Sequence, residues 1–302
     1  MDKAQIIVGI DGSSTAAQAM YWAAVECERR AAELVIAHAG DAEAGPSPDS
    51  GVPTRYGRAL LVEAEAEVFE SGVDCLITTI IAPENPVHLL TRLSEQADLV
   101  VVGSHGLGKQ ASVLLGSVAF RVAAHARCPV AVIPRGWDEQ AHSGKPVVVG
   151  IPASVSARSP LYVAFAEARA RGVPVRVVRS WSRIDWTGDL SDLIYATEPE
   201  LEAKQQEHID RMLAPLRTLF PEVPVQIVLS GERIDDVMLA ATKDAGLLVL
   251  GSRFADGHSY SRLGATTARL MHRVLCPVLV VGRAEWRAAK PAESARTPVP
   301  SR

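Results

Sequence analysis

Short apolar runs alternate along the chain with stretches in which apolar residues recur at helical spacing. In the first half, several runs are apolar at every position rather than at every second one. Strands that are covered on both faces have this continuous pattern, which is typical of a parallel sheet. The predicted strands are 6–10, 34–39, 75–81, 99–102 and 130–133, and the predicted helices between them are about 15–33, 57–71, 86–96 and 117–126.

The second half repeats the first. The run Ala-Asp-Leu-Val-Val-Val-Gly-Ser at 97–104 returns as Ala-Gly-Leu-Leu-Val-Leu-Gly-Ser at 245–252, 148 positions later, and Cys128-Pro129 returns as Cys276-Pro277 at the same distance. The first strands of the two halves lie 141 positions apart. A duplication with a few loop residues gained explains both offsets. The second copy therefore has predicted strands at 147–151, 175–178, 225–229, 247–250 and 278–281.

This order predicts an α/β fold of two tandem, doubly wound domains, each with a five-stranded parallel sheet. The first domain is assigned to 1–134 and the second to 146–283, joined by a polar linker at 135–145 that shows no periodic pattern. Residues 40–56 are expected to form a long surface loop, and the tail 284–302, rich in alanine, proline and charge, is expected to be disordered.

Composition narrows the classes of function. The chain has 302 residues and a net charge of −4, and its basic residues are dispersed, so no nucleic acid or anionic membrane is indicated as a partner. The cysteines (Cys27, Cys75, Cys128 and Cys276) lie far apart without a C-x-x-C pair, which argues against a disulfide framework or a zinc site. Neither a signal peptide nor an apolar stretch of membrane-spanning length is present, and we expect a cytoplasmic protein.

A glycine-rich segment follows the fourth predicted strand. Gly103-Ser104-His105-Gly106 is followed, nine residues later, by Gly116-Ser117 at the start of a predicted helix. Glycine lets the backbone approach a ligand closely, and a helix N-terminus offers unpaired N–H groups and the positive end of a dipole to phosphate. An ordinary glycine-rich turn with a helix cap explains the same residues, and this segment alone does not decide between the two interpretations.

A second segment of this kind, Gly9-Ile-Asp11-Gly12-Ser13, ends the first strand. Asp11 is compatible with a simple helix-capping turn. In open α/β sheets, however, ligands bind beyond the carboxyl ends of the strands where the strand order reverses. If strands one and four are neighbours, both segments face one crevice, which favours a nucleotide site.

These residues carry a resemblance to the universal stress protein family. Three motifs occur in the family's order and are duplicated: G-x-D-G-S after strand one, G-x2-G-x9-G-(S/T) after strand four, and H-A-x-C-P-V at 125–130 before strand five. The resemblance covers nearly all of 4–134 and 146–282. It implies the Rossmann-like, adenine nucleotide α-hydrolase-like fold.

The ATP-binding branch of that family implies roles for particular residues here. Asp11 would lie at the ribose, within the strand-one motif that also includes Gly9, Gly12 and Ser13, and Ala39, after His38, would lie by the base. The resemblance places the phosphates among Gly103, Ser104, Gly106, Gly116, Ser117 and Val118. It implies ATP as the ligand, with Mg²⁺ held mostly by the phosphates, and neither a catalytic residue nor a protein-held metal.

The second copy departs from this pattern. Phe254 stands where the first copy has Gly106, and Ala265 where it has Ser117. Pro152 and Ala153 replace Asp11 and Gly12. Phe254 adds bulk where phosphate would bind, Ala265 lacks a hydroxyl, and Pro152 lacks a carboxylate and an N–H group. We therefore predict that the second copy binds ATP weakly or not at all.

Other motifs have weaker functional interpretations. Residues 103–110 match most of a Walker A loop, but Gln110 replaces the Ser or Thr that would ligate Mg²⁺, and the segment follows strand four instead of strand one. His105 and His125 lack a second metal ligand at helical spacing, which favours loop and surface roles. Cys128 and Cys276 fit small buried residues better than reactive thiols. For Trp181 and Trp186 the favoured interpretation is packing at the protein surface. For Lys109, a solvated loop position and a contact with phosphate are both compatible with the sequence.

The chain shows no Ser-His-Asp or Cys-His arrangement and no paired acid–base carboxylates at recognisable spacing. The leading hypothesis is a non-enzymatic, ATP-binding regulator that acts on an unidentified protein partner, and the family resemblance implies a role in stress response or growth arrest. A slow ATPase or another nucleotide-hydrolysing enzyme, and a mainly structural assembly module, are the alternatives. The fifth strands of the two copies are expected to be sheet edges that pair within the chain, and further homo-oligomerisation, to a dimer, is expected.

Overall fold

The computed structural model describes residues 3–40, 55–106, 115–151, 158–181, 197–252 and 263–282. Within these ranges, strands and helices alternate as the sequence predicts, and most observed bounds lie within about two residues of the predicted ones. The strands are β1 Gln5–Gly9, β2 Glu33–Ala39, β3 Leu76–Ala82, β4 Leu99–Gly103, β5 Val130–Ile133, β6 Val147–Gly150, β7 Val175–Ser180, β8 Val225–Ser230, β9 Leu247–Gly251 and β10 Val278–Val281. The helices are α1 Ser14–Arg30, α2 Arg55–Glu70, α3 Pro86–Leu93, α4 Ser117–His125, α5 Glu139–His142, α6 Arg158–Arg171, α7 Glu198–Leu219, α8 Ile234–Ala241 and α9 Ala265–Met271.

The ten strands form one sheet in the order β3-β2-β1-β4-β5-β10-β9-β6-β7-β8. Strands are parallel within each copy, and the copies join where β5 and β10 pair antiparallel, with Val130 opposite Val280 and Val132 opposite Val278. The prediction that the fifth strands pair within the chain is confirmed. In this sheet β3 and β8 are the outer strands, so the fifth strands are central rather than edges.

Helices cover both faces of the sheet, which explains why the inner strands, such as β4, β5, β6, β9 and β10, are apolar at nearly every position. Along β1, Ile6 and Val8 pack into one core cluster together with α1, whereas Ile7 packs into the cluster on the opposite face. Successive strand residues point to opposite faces, so a strand covered on both sides needs apolar residues at every position. The strand order reverses between β1 and β4, which places a crevice beyond their carboxyl ends.

Three local features differ from the sequence-based expectation, and the first is that α3 ends at Leu93, three residues before its predicted end. Helix α1 ends at Arg30, three residues early, because Ala31 adopts a left-handed conformation (φ 51°) and its N–H bonds back to the last turn. The polar segment 135–145 contains the short helix α5, which Asp138 caps through hydrogen bonds to the N–H groups of Gln140 and Ala141. Trp137, in the same segment, is buried. The expected loop at 40–56 and the tail 284–302 lie almost entirely outside the described residues.

Candidate functional site

The turn between β1 and α1 is built around Asp11. One carboxylate oxygen of Asp11 accepts a hydrogen bond from the N–H of Ser13 at 3.0 Å, and Ser13 in turn caps α1 by accepting from Ala16. Gly12 between them has φ +84°, a left-handed conformation that favours glycine. The turn therefore holds the Asp11 carboxylate at the carboxyl end of the sheet, at the N-terminus of α1.

The segment after β4 meets this turn directly. A Cβ atom added to Gly106 would lie 2.5 Å from Oδ2 of Asp11, so a larger residue at 106 would displace the carboxylate from this position. The Ser13 hydroxyl donates to the carbonyl oxygen of His105 at 3.4 Å. The two predicted ligand segments thus converge on one place, as expected for neighbouring strands β1 and β4.

The N-terminus of α4 completes the crevice. The Gly116 N–H donates to the carbonyl oxygen of Ser104 at 2.6 Å, which fixes both ends of the glycine segment. Gly116 is the N-cap of α4 and provides no side-chain cap, so the first N–H groups of the helix are not satisfied in that way. Ser117 is exposed and Val118 half-buried at this end. Residues 107–114, which include Lys109 and Gln110, lie outside the described residues.

Two of the predicted site glycines are explained by packing. A Cβ atom at Gly103 would lie 2.8 Å from the carbonyl oxygen of Thr15 in α1, and one at Gly9 would lie 2.8 Å from a methyl carbon of Leu90 in α3. Both glycines let a helix pack closely on the sheet. Ser104 is buried and its N–H donates to Ile133 in β5, so its backbone also belongs to the sheet. The structure therefore brings together Asp11, Gly12, Ser13, Ser104, Gly106, Gly116 and Ser117, whereas at Gly9 and Gly103 it shows packing against a helix.

Ala39, which the resemblance places beside the nucleotide base, lies on β2, the neighbour of β1 on the side away from β4. Ala39 is the last residue of β2, half-buried and opposite Ala82 of β3. The preceding His38 is buried, and its Nδ1 lies 2.9 Å from the carbonyl oxygen of Ile10. The rings of His38 and Tyr56 form a T-shaped pair with their centroids 6.4 Å apart. A Cβ atom at Gly12 would lie 2.5 Å from the Tyr56 hydroxyl, so Tyr56 of α2 overlies the Asp11 turn.

Sequence reasoning missed the roles of His38 and Tyr56. Tyr56 lies within the segment expected to be a surface loop, and no motif marks it. The sequence contains one indication for His38. It is a polar residue in an otherwise apolar strand, and a buried polar side chain is expected to have a hydrogen-bond partner. Its partner, the last carbonyl before the Asp11 turn, is visible only in the structure.

The second copy differs at the same places. The register of β6 with β7 puts Arg179 where β2 has His38, and the Arg179 guanidinium donates to the carbonyl oxygen of Ile151 at 3.5 Å and to Gln205 at 2.8 and 2.9 Å. Gly264 caps α9 in the geometry of Gly116, followed by Ala265. Pro152, Ala153 and Phe254, from which the loss of ATP binding was predicted, lie outside the described residues.

The remaining candidates have structural partners. His125 is exposed, and its Nδ1 lies 2.7 Å from the carbonyl oxygen of Arg121 one turn earlier. The Ser104 hydroxyl lies 2.8 Å from Nδ1 of His105. Among the residues described, no three His, Cys, Asp or Glu side chains cluster in a way that would hold a metal ion. The cysteines are free thiols; Cys276 is buried as predicted, whereas Cys128 is half-buried.

Fold and site define a tandem, Rossmann-like α/β protein in which the Asp11 turn and the glycine segment after β4 meet where the strand order of the first copy reverses. The model of the universal stress protein family matches residues 4–134 and again 144–282. A universal stress protein of Mycobacterium tuberculosis is 30% identical over 289 residues, covering 91% of this chain and 96% of the relative, and another from that organism is 28% identical over a similar span. The chain belongs to the universal stress protein family.

A solved structure gives the same fold. A universal stress protein from Archaeoglobus fulgidus superimposes with a TM-score of 0.68 at 16% identity and covers 94% of this chain and 100% of its own. At this identity the likeness concerns the fold alone. Among the described helices, none has the length and apolar composition of a membrane span.

Proposed function

We propose that the first copy, residues 1–134, binds ATP in the crevice between the Asp11 turn and the N-terminus of α4. The observation that carries the proposal is the contact of Asp11 with Gly106, where the carboxylate occupies the space that any side chain on residue 106 would need. Two segments rich in small residues converge there, beyond the carboxyl ends of β1 and β4, and such positions bind nucleotides in open α/β sheets.

The phosphates fit the α4 end of this crevice. The first N–H groups of α4 and the Ser117 hydroxyl are donors, and the helix dipole favours negative charge at its N-terminus. The Asp11 carboxylate accepts hydrogen bonds and therefore suits the ribose hydroxyls better than the phosphates. Ala39, at the end of the next strand, has a small side chain beside which a base fits. Mg²⁺ would be held mainly by the phosphates.

The second copy is proposed to be a poor ATP site. Arg179 fills the place of His38 with a larger, buried and charged side chain that is fixed by Gln205. Ala265 lacks the hydroxyl of Ser117. We therefore expect one nucleotide per chain, bound in the first copy.

The duplicated fold supplies a matched control for the test. Gly116 and Gly264 cap equivalent helices with nearly the same backbone angles (φ −66° and −64°). Gly116→Glu should abolish ATP binding measured by calorimetry, because it brings charge and bulk against the phosphates, whereas Gly264→Glu should leave one site per chain. AMP in place of ATP tests whether the outer phosphates contribute. Two equal sites in the wild type, or binding that survives Gly116→Glu, would refute the proposal.

We propose that ATP occupancy regulates a protein partner in stress response or growth arrest without enzymatic turnover. A cradle of N–H groups and hydroxyls binds phosphate but does not by itself position a water molecule or supply an arginine for transfer. ATP should then stabilise one conformation or homo-oligomer, a dimer in the simplest case. Analytical ultracentrifugation with and without ATP, using Gly116→Glu as the unliganded reference, measures this effect.

Slow ATP hydrolysis is the second candidate, and the Ser104–His105 hydrogen bond favours it. It places an imidazole, a group able to move a proton, next to Gly106. Sustained turnover that is lost in both His105→Gln and Gly106→Phe would favour an enzyme. Turnover that is undetectable while ATP binding persists would support the regulator.

A further inference from the structure

Helix α2 carries apolar residues on its solvent-exposed side as well as on its core side. Phe69 is 84% exposed and Val62 is 67% exposed, and Ala59 and Ala66 are exposed as well. Their spacing of i, i+3, i+7 and i+10 places these residues in one line along the helix, which we call the α2 stripe. Single exposed apolar side chains are common, whereas a continuous exposed line of them is typical of an interaction site. The core side of α2 is formed by a separate, buried set, Gly57, Leu61, Ala64 and Val68.

Carboxylates lie along both sides of the α2 stripe. In a helical projection Glu65 lies on one side, and Glu63, Glu67 and Glu70 lie on the other. All of them are exposed, and none forms an ion pair or a side-chain hydrogen bond with a residue in the described parts of the chain. The basic residues of α2 precede the stripe, at Arg55 and Arg58. The stripe is therefore an apolar line with unpaired negative charge along its length.

Helix α7 of the second copy is the counterpart of α2. A Cβ atom at Gly57 of α2 would lie 2.8 Å from Cδ2 of His38. Gln205 of α7 accepts a hydrogen bond from Arg179, which stands in the place of His38. The two helices therefore correspond at an offset of 148 positions, which is also the offset of the duplicated motifs.

The second copy shows that the fold does not require the α2 stripe. At this offset Asp210 and Arg217 replace Val62 and Phe69, and they form an ion pair with 3.0 Å between nitrogen and oxygen. An exposed helix face normally carries polar residues of this kind. The apolar residues at the same places in α2 therefore need a reason other than packing within the chain.

The charge beside the stripe distinguishes between possible partners. A second copy of the chain would bring two sets of carboxylates together, and like charges that face each other weaken an interface. An anionic membrane surface is disfavoured for the same reason. An amphipathic helix with apolar residues at matching spacing and Lys or Arg beside them fits both features, because side chains that flank the apolar seam of paired helices form ion pairs between the helices.

We propose that the α2 stripe is a docking surface for an amphipathic helix with basic flanks on a partner protein. Helix α2 packs beside β2 and β3, and β3 is an outer strand of the sheet. The docked helix therefore lies at the end of the molecule and leaves the β5–β10 junction between the copies intact. The proposal gives the chemistry of a partner and does not depend on ATP binding.

A synthetic peptide tests the surface. The probe has about three heptads with leucine at positions a and d and lysine at e and g, and the reference peptide has glutamate at e and g. Fluorescence anisotropy of each labelled peptide with the full chain, in the absence of nucleotide, measures Kd. The lysine peptide should bind the more tightly, and Phe69→Ser should weaken its binding by about tenfold because an apolar anchor is lost. Leu219→Ser is the matched control, since it removes another exposed apolar residue, at the end of α7, and it should leave Kd unchanged.

Charge reversal tests the carboxylates. Glu63→Lys combined with Glu67→Lys should weaken binding of the lysine peptide by about tenfold or more and reduce its dependence on salt. Glu202→Lys combined with Glu222→Lys makes the same change of net charge at exposed positions of the second copy and should have little effect. Because all of these residues are exposed, the thermal unfolding midpoints should stay close to that of the wild type, so that a loss of binding is not a loss of fold.

Several outcomes would overturn the proposal. These are no binding of the lysine peptide to the wild type, a Kd that Phe69→Ser leaves unchanged, and equal effects of the two charge reversals. A dimer in sedimentation experiments that Phe69→Ser dissociates would also overturn it, because the stripe would then bind a second copy of the chain. None of these results bears on the ATP site, which calorimetry tests separately.

Discussion

Arg30 of the first copy and Glu167 of the second form an ion pair with 2.7 Å between nitrogen and oxygen. The same contact recurs with the roles exchanged, between Arg171 and Glu26. Each arginine follows its own copy's glutamate by four residues, and corresponding residues are 141 positions apart. The four side chains therefore form a reciprocal network between α1 and α6, as in the interface of a symmetric dimer.

Glu26 is the most buried member of this network, 1% exposed and in contact with Arg29, Arg30 and Arg171. Replacing it with glutamine leaves three guanidinium groups with too little negative charge. We expect Glu26→Gln to lower the free energy of unfolding by about 3 kcal/mol, measured by chemical denaturation. Glu63→Gln, at an exposed position of α2, is the matched control and should change little. Equal losses in the two variants would mean that the network contributes nothing specific.

The network should make the protein sensitive to acid. Burial alone would raise the pKa of Glu167, but Arg30 and Arg171 outweigh it and hold that pKa below the ordinary value of a glutamate. A carboxyl whose pKa is lowered by folding contributes stability above its unfolded pKa, about 4.3, and loses that contribution as the pH falls through its folded pKa. Glu167→Gln should therefore flatten the fall in unfolding free energy below about pH 4.3. A slope that matches the wild type would contradict this assignment.

The ends of α1 and α6 provide a second internal comparison. Ala31 ends α1 in a left-handed conformation with φ 51°, whereas the equivalent Gly172 ends α6 with φ 65°. A left-handed alanine costs about 1–2 kcal/mol, and a Cβ atom at Gly172 would contact nothing within 4 Å. Ala31→Gly should therefore raise the free energy of unfolding by up to about 1 kcal/mol, and Gly172→Ala should lower it by a similar amount. Changes of the same sign in the two variants would show that conformational strain is not their cause.

Thiol reactivity tests the structural interpretation of the two Cys-Pro motifs. Burial raises the pKa of Cys128 to about 12 and that of Cys276 to about 12. Thiolate is the reactive form, so at pH 8 both residues should be alkylated at least on the order of a hundredfold more slowly in the native protein than in urea. Mass spectrometry of iodoacetamide-treated protein measures each site. Rapid native labelling of Cys128 would instead favour the reactive-thiol interpretation.

The sequence predicted the order of strands along the chain because strands buried on both faces have continuous apolar runs, and because the duplication fixed the offset between the copies. The loss of the last turn of α1 could not be predicted, since a left-handed alanine has no sequence signature comparable to glycine. Helix α5 was missed because Asp138 stabilises only one helical turn, too short to produce a periodic pattern.

The parts of the candidate site that contain glycine motifs could be predicted from the sequence, and the parts without such motifs could not. The motifs located the Asp11 turn and the segment after β4, and the structure adds that Gly9 and Gly103 also allow close helix packing, whatever their contact with a ligand. The long-range neighbours of the turn, His38 and Tyr56, depend on how β2 and α2 pack around it. A single sequence carries no direct record of such contacts.

Gly12 connects this local geometry to the proposed ATP site. Its φ of +84° is strained for alanine, and a Cβ atom there would lie 2.5 Å from the Tyr56 hydroxyl. We expect Gly12→Ala to lower stability by about 1 kcal/mol and also to weaken ATP binding, because the Asp11 turn must shift. Gly136→Ala is the matched control, since Gly136 has φ +75° and a Cβ atom there would contact nothing within 4 Å.

Calorimetric titration of both variants separates strain from ligand binding. Gly136→Ala should show a similar loss of stability with unchanged ATP affinity. Adding Tyr56→Phe to Gly12→Ala removes the contacting oxygen and should restore part of the ATP affinity while the conformational strain persists. If Gly12→Ala and Gly136→Ala bind ATP equally well, the turn that carries Asp11 does not belong to the binding site, and the nucleotide must be sought elsewhere in the protein.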